Sequence, residues 1–371
     1  MRTINRRQLV ASGLVIGGSI IARPVWSQGG SPPRRERPSL GSGNDERYYD
    51  WDASPNHGYD PTEPEPQRPS GGARALEATQ KLPASAVVDP AFLPPVGTQG
   101  HAATCVSWAA GYGLTTFMLA KKAGSDPLLP VNQVSPAYLY SSVRNALARG
   151  CRYETTRQDL TCKTAWKSPN EDLGSGPTNI AMTLRILQLH GATNCEETPY
   201  PKVAIGGQPV AAGGLYSNIY RHWSSTDAAP SLKIRDFHTY SIDKTNSDPL
   251  GDIKTTLAAG DALVYGTREP NPWKPDDNSG PWEKYQDIKM NGDKPAGHAM
   301  LIIGYDDEMK SATGKGAMLL QNSWGPRWGM SWAHAFGRHH QKPTRNTRGY
   351  VWVTYEAFLA LAQGTAFRVQ V

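Results

Sequence analysis

The chain has 371 residues, 38% of them hydrophobic, with 11 Trp and a formal charge of +6. That composition excludes a fibrous or wholly disordered chain and leaves ample core for one large domain or two, although 30 Pro and 37 Gly make much of it loop. No basic run is interleaved with aromatic residues as a nucleic-acid surface demands, so no nucleic-acid partner is expected.

The positive charge is unevenly placed. Residues 1–27 carry Arg2, Arg6, Arg7 and Arg23 and no acid, a net +4; residues 28–80 are net −3 and residues 81–371 net +5. Arg6-Arg7 precedes a moderately apolar run from Val10 to Ala22, and Val25-Trp26-Ser27 offers small residues three and one positions before a cut. This is the pattern of an export signal. The paired arginines predict the twin-arginine route, one for bacterial proteins exported already folded. A membrane anchor is the competing reading. The run is shorter than the ~20 residues that span a bilayer, and Gly13, Gly17, Gly18 and Ser19 interrupt it. The expected location is the periplasm or the exterior, with no stable membrane anchor after cleavage.

Residues 28–80 contain eight Pro and seven Gly, a composition at which disorder is expected. Asp60-Pro61-Thr62-Glu63-Pro64-Glu65-Pro66 is an acidic, polyproline-like spacer. Tyr48, Tyr49, Trp51 and Tyr59 cluster nearby. Two readings compete: a plain linker, or a pro-segment whose aromatic residues dock on the folded domain and cover its cleft.

The globular part runs over residues 81–371. Asp89-Pro90-Ala91-Phe92-Leu93-Pro94-Pro95 is an extended lead-in. It delivers the chain to Gln99-Gly100-His101-Ala102-Ala103-Thr104-Cys105, a loop ending in a cysteine. The next residues place Ala110, Leu114, Phe117 and Met118 on one helical face, and Lys121, Lys122 and Gly124 suit its last turn and cap. Cys105 is therefore predicted in the first turn of a helix. The dipole there contributes about 0.3–1 kcal/mol, up to ~2 when partly buried, or roughly one pKa unit. A fully formed thiolate needs a second partner, usually an imidazolium.

Further helices are predicted at Val134–Tyr140, where Ser135 caps and Pro136 opens the first turn, at Asn179–His190 with Gly191 as the stop, and at Asp252–Ala259 ended by Gly260. Strands are predicted at Ala262–Gly266, His298–Tyr305, Ala317–Gln321 and Tyr350–Tyr355. Helices followed by strands, with no internal repeat, predict an α+β architecture of two lobes.

Among nine histidines, His298 opens an apolar strand, where a ring faces a cleft more easily than in mid-strand. A packed, hydrogen-bonded strand histidine is the competing reading. A catalytic imidazole also needs a group to hold its tautomer. Asn322 follows the next strand, in Gln321-Asn322-Ser323-Trp324-Gly325. A hairpin of the two strands brings the amide oxygen to the ring, and Trp324 is placed to roof that bond.

In this order, Cys, His and Asn make the chain resemble the papain-like cysteine peptidases over roughly residues 85–371. Asn322-Ser323-Trp324-Gly325 matches the family motif letter for letter, and Trp328-Gly329 follows as it does there. Gly297-His298-Ala299 matches the histidine strand, and Gln99 stands six residues before Cys105, at the spacing of the oxyanion donor. Gly174-Ser175-Gly176 resembles the segment that pairs with substrate backbone, and Glu197-Thr198-Pro199-Tyr200-Pro201 resembles Glu-x-x-Tyr-Pro. The resemblance implies a two-lobe fold, a helical N-terminal lobe and a β-rich C-terminal lobe with the cleft between. It implies peptide hydrolysis by Cys105, His298, Asn322 and Gln99, with Gly174, Ser175, Gly176 and Trp324 binding a peptide or protein substrate. The expected working state is a monomer, without cofactor or metal.

The departures are specific. Ala102-Ala103-Thr104-Cys105-Val106 replaces the family's Cys-Gly-Ser-Cys-Trp. Ala102 and Leu173 stand where a disulfide pair is usual, which reads as loss of the whole bridge. The interval from Cys105 to His298 is 193 residues, against ~130–150 in the family, so insertions are required. Arg268–Ala296 is one, with Trp273, Trp282 and Tyr285; it reads either as a wall over the cleft or as a solvated loop. Met330–Arg348, with His334, His339 and His340, reads as a solvated loop in preference to a metal site. Cys151, Cys162 and Cys195 allow one bridge and one leftover; Cys151–Cys162 closes the shortest loop, and the spacing does not suit zinc. Two rivals remain: a cell-wall amidase or peptidase of another Cys-His type, and an inactive peptide-binding relative.

Overall fold

The computed structural model describes residues 81–154, 159–163, 176–205, 208–224, 230–242, 246–337 and 347–371. The expected export signal and the segment 28–80 lie outside the described residues. Where helices form, local chemistry explains their ends. Ser135 accepts a hydrogen bond from the Tyr138 amide at the head of helix Pro136–Ala148. Asn179 accepts from the Met182 amide at the head of Ile180–Leu189. Both are side-chain oxygens satisfying amides that the helix itself leaves orphaned. Gly191, at φ 78°, follows the second of these helices, as a stop residue should. The short helix predicted around Asp252 is Gly251–Ala258.

The helix after Cys105 departs from the simple expectation. Ser107–Thr115 is wound with the wider π spacing before regular α-helix Thr116–Ala123. The Thr116 amide reaches back five residues to the Gly111 carbonyl, and the Thr115 hydroxyl donates 2.8 Å to the Ala110 carbonyl. Glycine allows the close packing there: a Cβ on Gly111 would lie 2.5 Å from Leu139. This segment packs against Pro136–Ala148 and Ile180–Leu189 on one side and against strands Leu263–Arg268 and Gly297–Lys310 on the other. It is the joint between the helical and β-rich parts.

Among the described residues the β-rich part is an eight-stranded antiparallel sheet. Its order is Met330–Ser331, Arg348–Thr354, Lys315–Gln321, Gly297–Lys310, Leu263–Arg268, Ala362–Gln370, Asp236–Ser241, with Ser85–Val87 pairing on Gly297–Lys310. All four predicted strands belong to it. Strands Asp236–Ser241 and Ala362–Gln370 and helix Ala212–Ser224 were not expected. The helix presents Leu215, Tyr216 and Ile219 to a second apolar cluster with Ala102, Trp108 and Tyr140. The combination of helices and one large antiparallel sheet is the α+β architecture. Among the described residues no helix is long and apolar enough to cross a membrane.

Candidate active site

The amide of Trp108 bonds back to the Thr104 carbonyl at 3.1 Å, so Cys105 opens the helix. The turn before it is closed by Thr104 N–H donating to Ala102 O at 2.8 Å. Gly100, at φ 61°, gives this loop its left-handed corner. Tyr200 ties the loop from outside: its hydroxyl donates 2.8 Å to Gln99 O and lies 2.9 Å from the Thr104 hydroxyl. Cys105 itself is completely buried.

Gln99 is fixed at both ends of its amide. Nε2 donates to Ala102 O at 2.9 Å, and Oε1 accepts from the Ser323 hydroxyl at 2.8 Å. The Gln99 amide also donates to Ser323 O at 2.9 Å. Gln99 is thus held on the cysteine loop by Ser323 of the Asn-Ser-Trp-Gly turn. One Nε2 proton is directed to Ala102, and the second remains available for another acceptor.

Strands Gly297–Lys310 and Lys315–Gln321 form the expected hairpin, with Leu301 opposite Gln321. Continuing that register sets Asn322 against Met300, and His298 lies two residues further on the same face. His298 Nε2 is 2.7 Å from Asn322 Oδ1. Oδ1 also accepts the Ser323 amide at 2.7 Å, which fixes the oxygen rather than the NH2 group toward the ring. A carbonyl oxygen only accepts, so Nε2 carries the proton. Proton exchange is left to Nδ1.

Trp324 covers this pair, its ring 4.8 Å from the imidazole between centroids. Trp324 is itself covered, by Trp273 at 5.7 Å and Trp328 at 5.4 Å, both edge to face. Trp273 also meets the His298 ring at 6.4 Å. Trp273 belongs to the Arg268–Ala296 stretch, which divides between its two readings: Trp273 and Trp282 are buried against the rest of the protein, whereas residues 290–295 form an exposed hairpin. Trp328 Nε1 donates to Trp273 O, Asp277 accepts the Ser331 amide and pairs with Arg348 at 3.0 Å, and Trp282 exchanges backbone bonds with Trp352 and Thr354.

Three expectations change. Gly176 was expected to pair with substrate backbone, but Tyr140 engages both its main-chain groups: Tyr140 Oη donates to Gly176 O at 2.9 Å and accepts Gly176 N–H at 3.2 Å. Gly174 and Ser175 lie outside the described residues. Trp324 presents no open face to a substrate, being 3% exposed beneath Trp273 and Trp328. The start of the Met330–Arg348 stretch is packed rather than solvated: helix Trp332–Phe336 buries Trp332, Ala335 and Phe336, because apolar residues recur there on one face. His339 and His340 lie outside the described residues.

The structure pairs Cys151 with Cys162 as a disulfide. Cys195 is buried, its thiol 3.5 Å from the Val134 carbonyl, and burial pushes that thiol far up. Cys105 also lies outside the disulfide, and it is the one that opens a helix.

No protein-family model and no curated protein matches the chain. Solved structures do. Procathepsin B S9 from Trypanosoma congolense superposes with a TM-score of 0.52 at 13% identity, over 86% of this chain and 88% of that one. Xylellain, a cysteine protease from Xylella fastidiosa, gives 0.49 at 19% identity, over 86% and 97%. Procathepsin L 3 of Tenebrio molitor larval midgut gives 0.48 at 14%, over 86% and 77%. The chain has the papain-like cysteine peptidase fold.

Proposed function

We propose that this protein is an exported cysteine peptidase that hydrolyses peptide bonds through a thioester on Cys105. The observation that carries the reading is the His298–Asn322 pair, 2.7 Å apart with the oxygen fixed toward Nε2. It leaves Nδ1 as the atom that takes the thiol proton, giving a thiolate and an imidazolium.

The thiolate attacks the peptide carbonyl carbon, and the carbonyl oxygen becomes an oxyanion. The Gln99 Nε2 and Cys105 amide protons receive that charge, one such donor contributing about 2.7–4 kcal/mol. The intermediate collapses as Nδ1 gives its proton to the leaving amine. Water then attacks the thioester, its proton passing to Nδ1, and the carboxylic acid departs as Cys105 is regenerated. Asn322 keeps the ring in one tautomer throughout. Trp324 and Trp273 keep water off the Nε2 bond, which strengthens it. The substrate is a peptide or protein, and no step requires a metal or cofactor.

Export rests on Arg6-Arg7 and the run that follows. The Cys151–Cys162 disulfide supports it, since such bonds persist in oxidising compartments. Complete burial of Cys105 favours a second reading, a relative that binds peptides without cutting them. Iodoacetamide or an epoxide, followed by mapping of the adduct, tests the choice alongside Cys105→Ala in a casein assay. The peptidase reading expects preferential labelling of Cys105 and loss of cleavage in the variant. Labelling chiefly elsewhere, or equal behaviour of variant and wild type, would sink it.

A further inference from the structure

Two stretches of the helical part, far apart in sequence, are joined through a pair of stacked tyrosines. On one side, the Ala103 amide donates to Tyr216 Oη at 2.8 Å. Ala103 lies inside the turn whose Ala102 carbonyl holds Gln99, two residues before the nucleophile. On the other side, Tyr140 Oη takes both main-chain groups of Gly176. The two rings lie 5.8 Å apart between centroids and 23° from parallel. Tyr140 comes from helix Pro136–Ala148 and Tyr216 from helix Ala212–Ser224, and those helices pack together.

We propose that Tyr140 and Tyr216 are positioning residues, forming a hydrogen-bonded tether that sets the Gly176 backbone against the loop carrying Gln99 and Cys105.

The chemistry of the pair suits the role. Both rings are buried, so packing fixes their orientation. Burial pushes both phenols up, Tyr140 strongly, with Tyr216 and Tyr220 adding to the effect on Tyr140 and the Cys105 thiolate adding to that on Tyr216. The tyrosines therefore stay protonated wherever the thiolate–imidazolium pair works. Tyr140 can then donate to one Gly176 group while accepting from the other. Arg144 reinforces the far end, its guanidinium 3.2 Å from Pro177 O and directly beneath Gly176. Tyr220 extends the stack beyond Tyr140, at 6.4 Å.

The geometry of the tether stands on its own, and its kinetic consequence rests on the peptidase reading. Two measurements on the full chain separate them. Tyr140→Phe and Tyr216→Phe keep the rings and remove one hydroxyl each. Amide hydrogen exchange is read at Ala103 and Gly176. A tether predicts that each variant accelerates exchange at both amides, by about threefold to tenfold for one lost hydrogen bond. Two unrelated local bonds predict acceleration only at the amide each variant touches, and that result overturns the proposal.

Kinetics supply the second readout. The tether predicts that kcat/KM in the double variant falls no further than in the worse single variant, because both remove one linkage. It also predicts an unchanged pH profile, since both hydroxyls stay neutral wherever the thiolate–imidazolium pair works. Multiplying losses would overturn it. A wild type without turnover but with coupled exchange would sink the peptidase reading and leave the tether standing. A melting temperature within a few degrees of wild type, read in parallel, shows that each variant has folded.

Discussion

Ser323 and Gln99 are 2.8 Å apart, hydroxyl to amide oxygen, although 224 residues separate them in sequence. The serine of the Asn-Ser-Trp-Gly turn thus does two jobs. Its amide turns the Asn322 oxygen toward His298, and its hydroxyl turns the Gln99 NH2 group toward the site. One short turn sets the orientation of both side-chain amides on which the proposed chemistry depends.

Ser323→Ala is therefore expected to leave the His298–Asn322 pair intact and to free Gln99 to rotate. Loss of one neutral hydrogen bond contributes about 0.5–1.5 kcal/mol, so kcat should fall by roughly twofold to tenfold with KM little changed. Gln99→Ala removes the donor itself, and a loss of about 10²–10³ in kcat is expected. Steady-state kinetics on one peptide substrate compare the two. If Ser323→Ala equalled Gln99→Ala, the hydroxyl would be doing more than orienting the amide.

Asn322→Ala leaves Nε2 without its acceptor. A hydrogen bond to a charged group contributes about 1.5–3 kcal/mol, so kcat/KM should fall at least about tenfold. Asn322→Asp keeps an acceptor at the same place and should recover part of the loss. Kinetics of both variants, beside NMR of the imidazole ring to read the tautomer, check the assignment of Nε2 as donor.

Trp273→Ala opens the roof over Trp324 and Trp328. Removing a buried tryptophan side chain is expected to cost about 3–5 kcal/mol, read as a lower denaturant midpoint. Activity should fall with it, as water reaches the His298–Asn322 bond. Full activity in a folded Trp273→Ala protein would show that the wall has no part in shielding the site.

Asp277 anchors the same wall, and its contribution depends on pH. Burial alone would raise its carboxyl, but the Ser331 amide and the Arg348 guanidinium outweigh burial and hold it below the ordinary 3.8. A carboxylate depressed in the folded state stabilises above its unfolded pKa, and that contribution fades as pH falls through the folded value. The difference in melting temperature between wild type and Asp277→Asn should be present at neutral pH and shrink below about pH 4. A difference unchanged down to pH 2 would contradict the ion-pair account.

The Cys151–Cys162 bond closes a short loop, 11 residues in separation. Replacing both cysteines with serine is expected to lower stability by about 2–3 kcal/mol. The Cys105 thiol should react as before with iodoacetamide. Thermal unfolding with and without reductant gives the comparison: wild type in reductant should approach the double variant.

The elements that carry the candidate site were legible because its residues sit at their boundaries, where side-chain chemistry decides structure. Ser135 announced its helix by capping, Ile180, Leu184 and Leu187 with the Gly191 stop announced the next, and the Gly297–Gln321 stretch announced a hairpin by its apolar runs. The unforeseen pieces lack such local marks. Gly213 and Gly214 obscure the start of helix Ala212–Ser224, although Leu215, Tyr216 and Ile219 carry its buried face. Strand Ala362–Gln370 alternates imperfectly, with Ala366 and Phe367 both buried in succession. The engagement of Gly176 by Tyr140 and the roofing of Trp324 by Trp273 are contacts between distant stretches. Each needs the tertiary fold before it can be seen.

Strand Ala362–Gln370 lies inside the sheet, between Leu263–Arg268 and Asp236–Ser241, and the former of these pairs directly with the strand of His298. The ribosome makes this insert after every partner it joins. Until residues 362–370 have been made, strand Leu263–Arg268 has no neighbour on that edge, and the sheet that carries His298 is incomplete there.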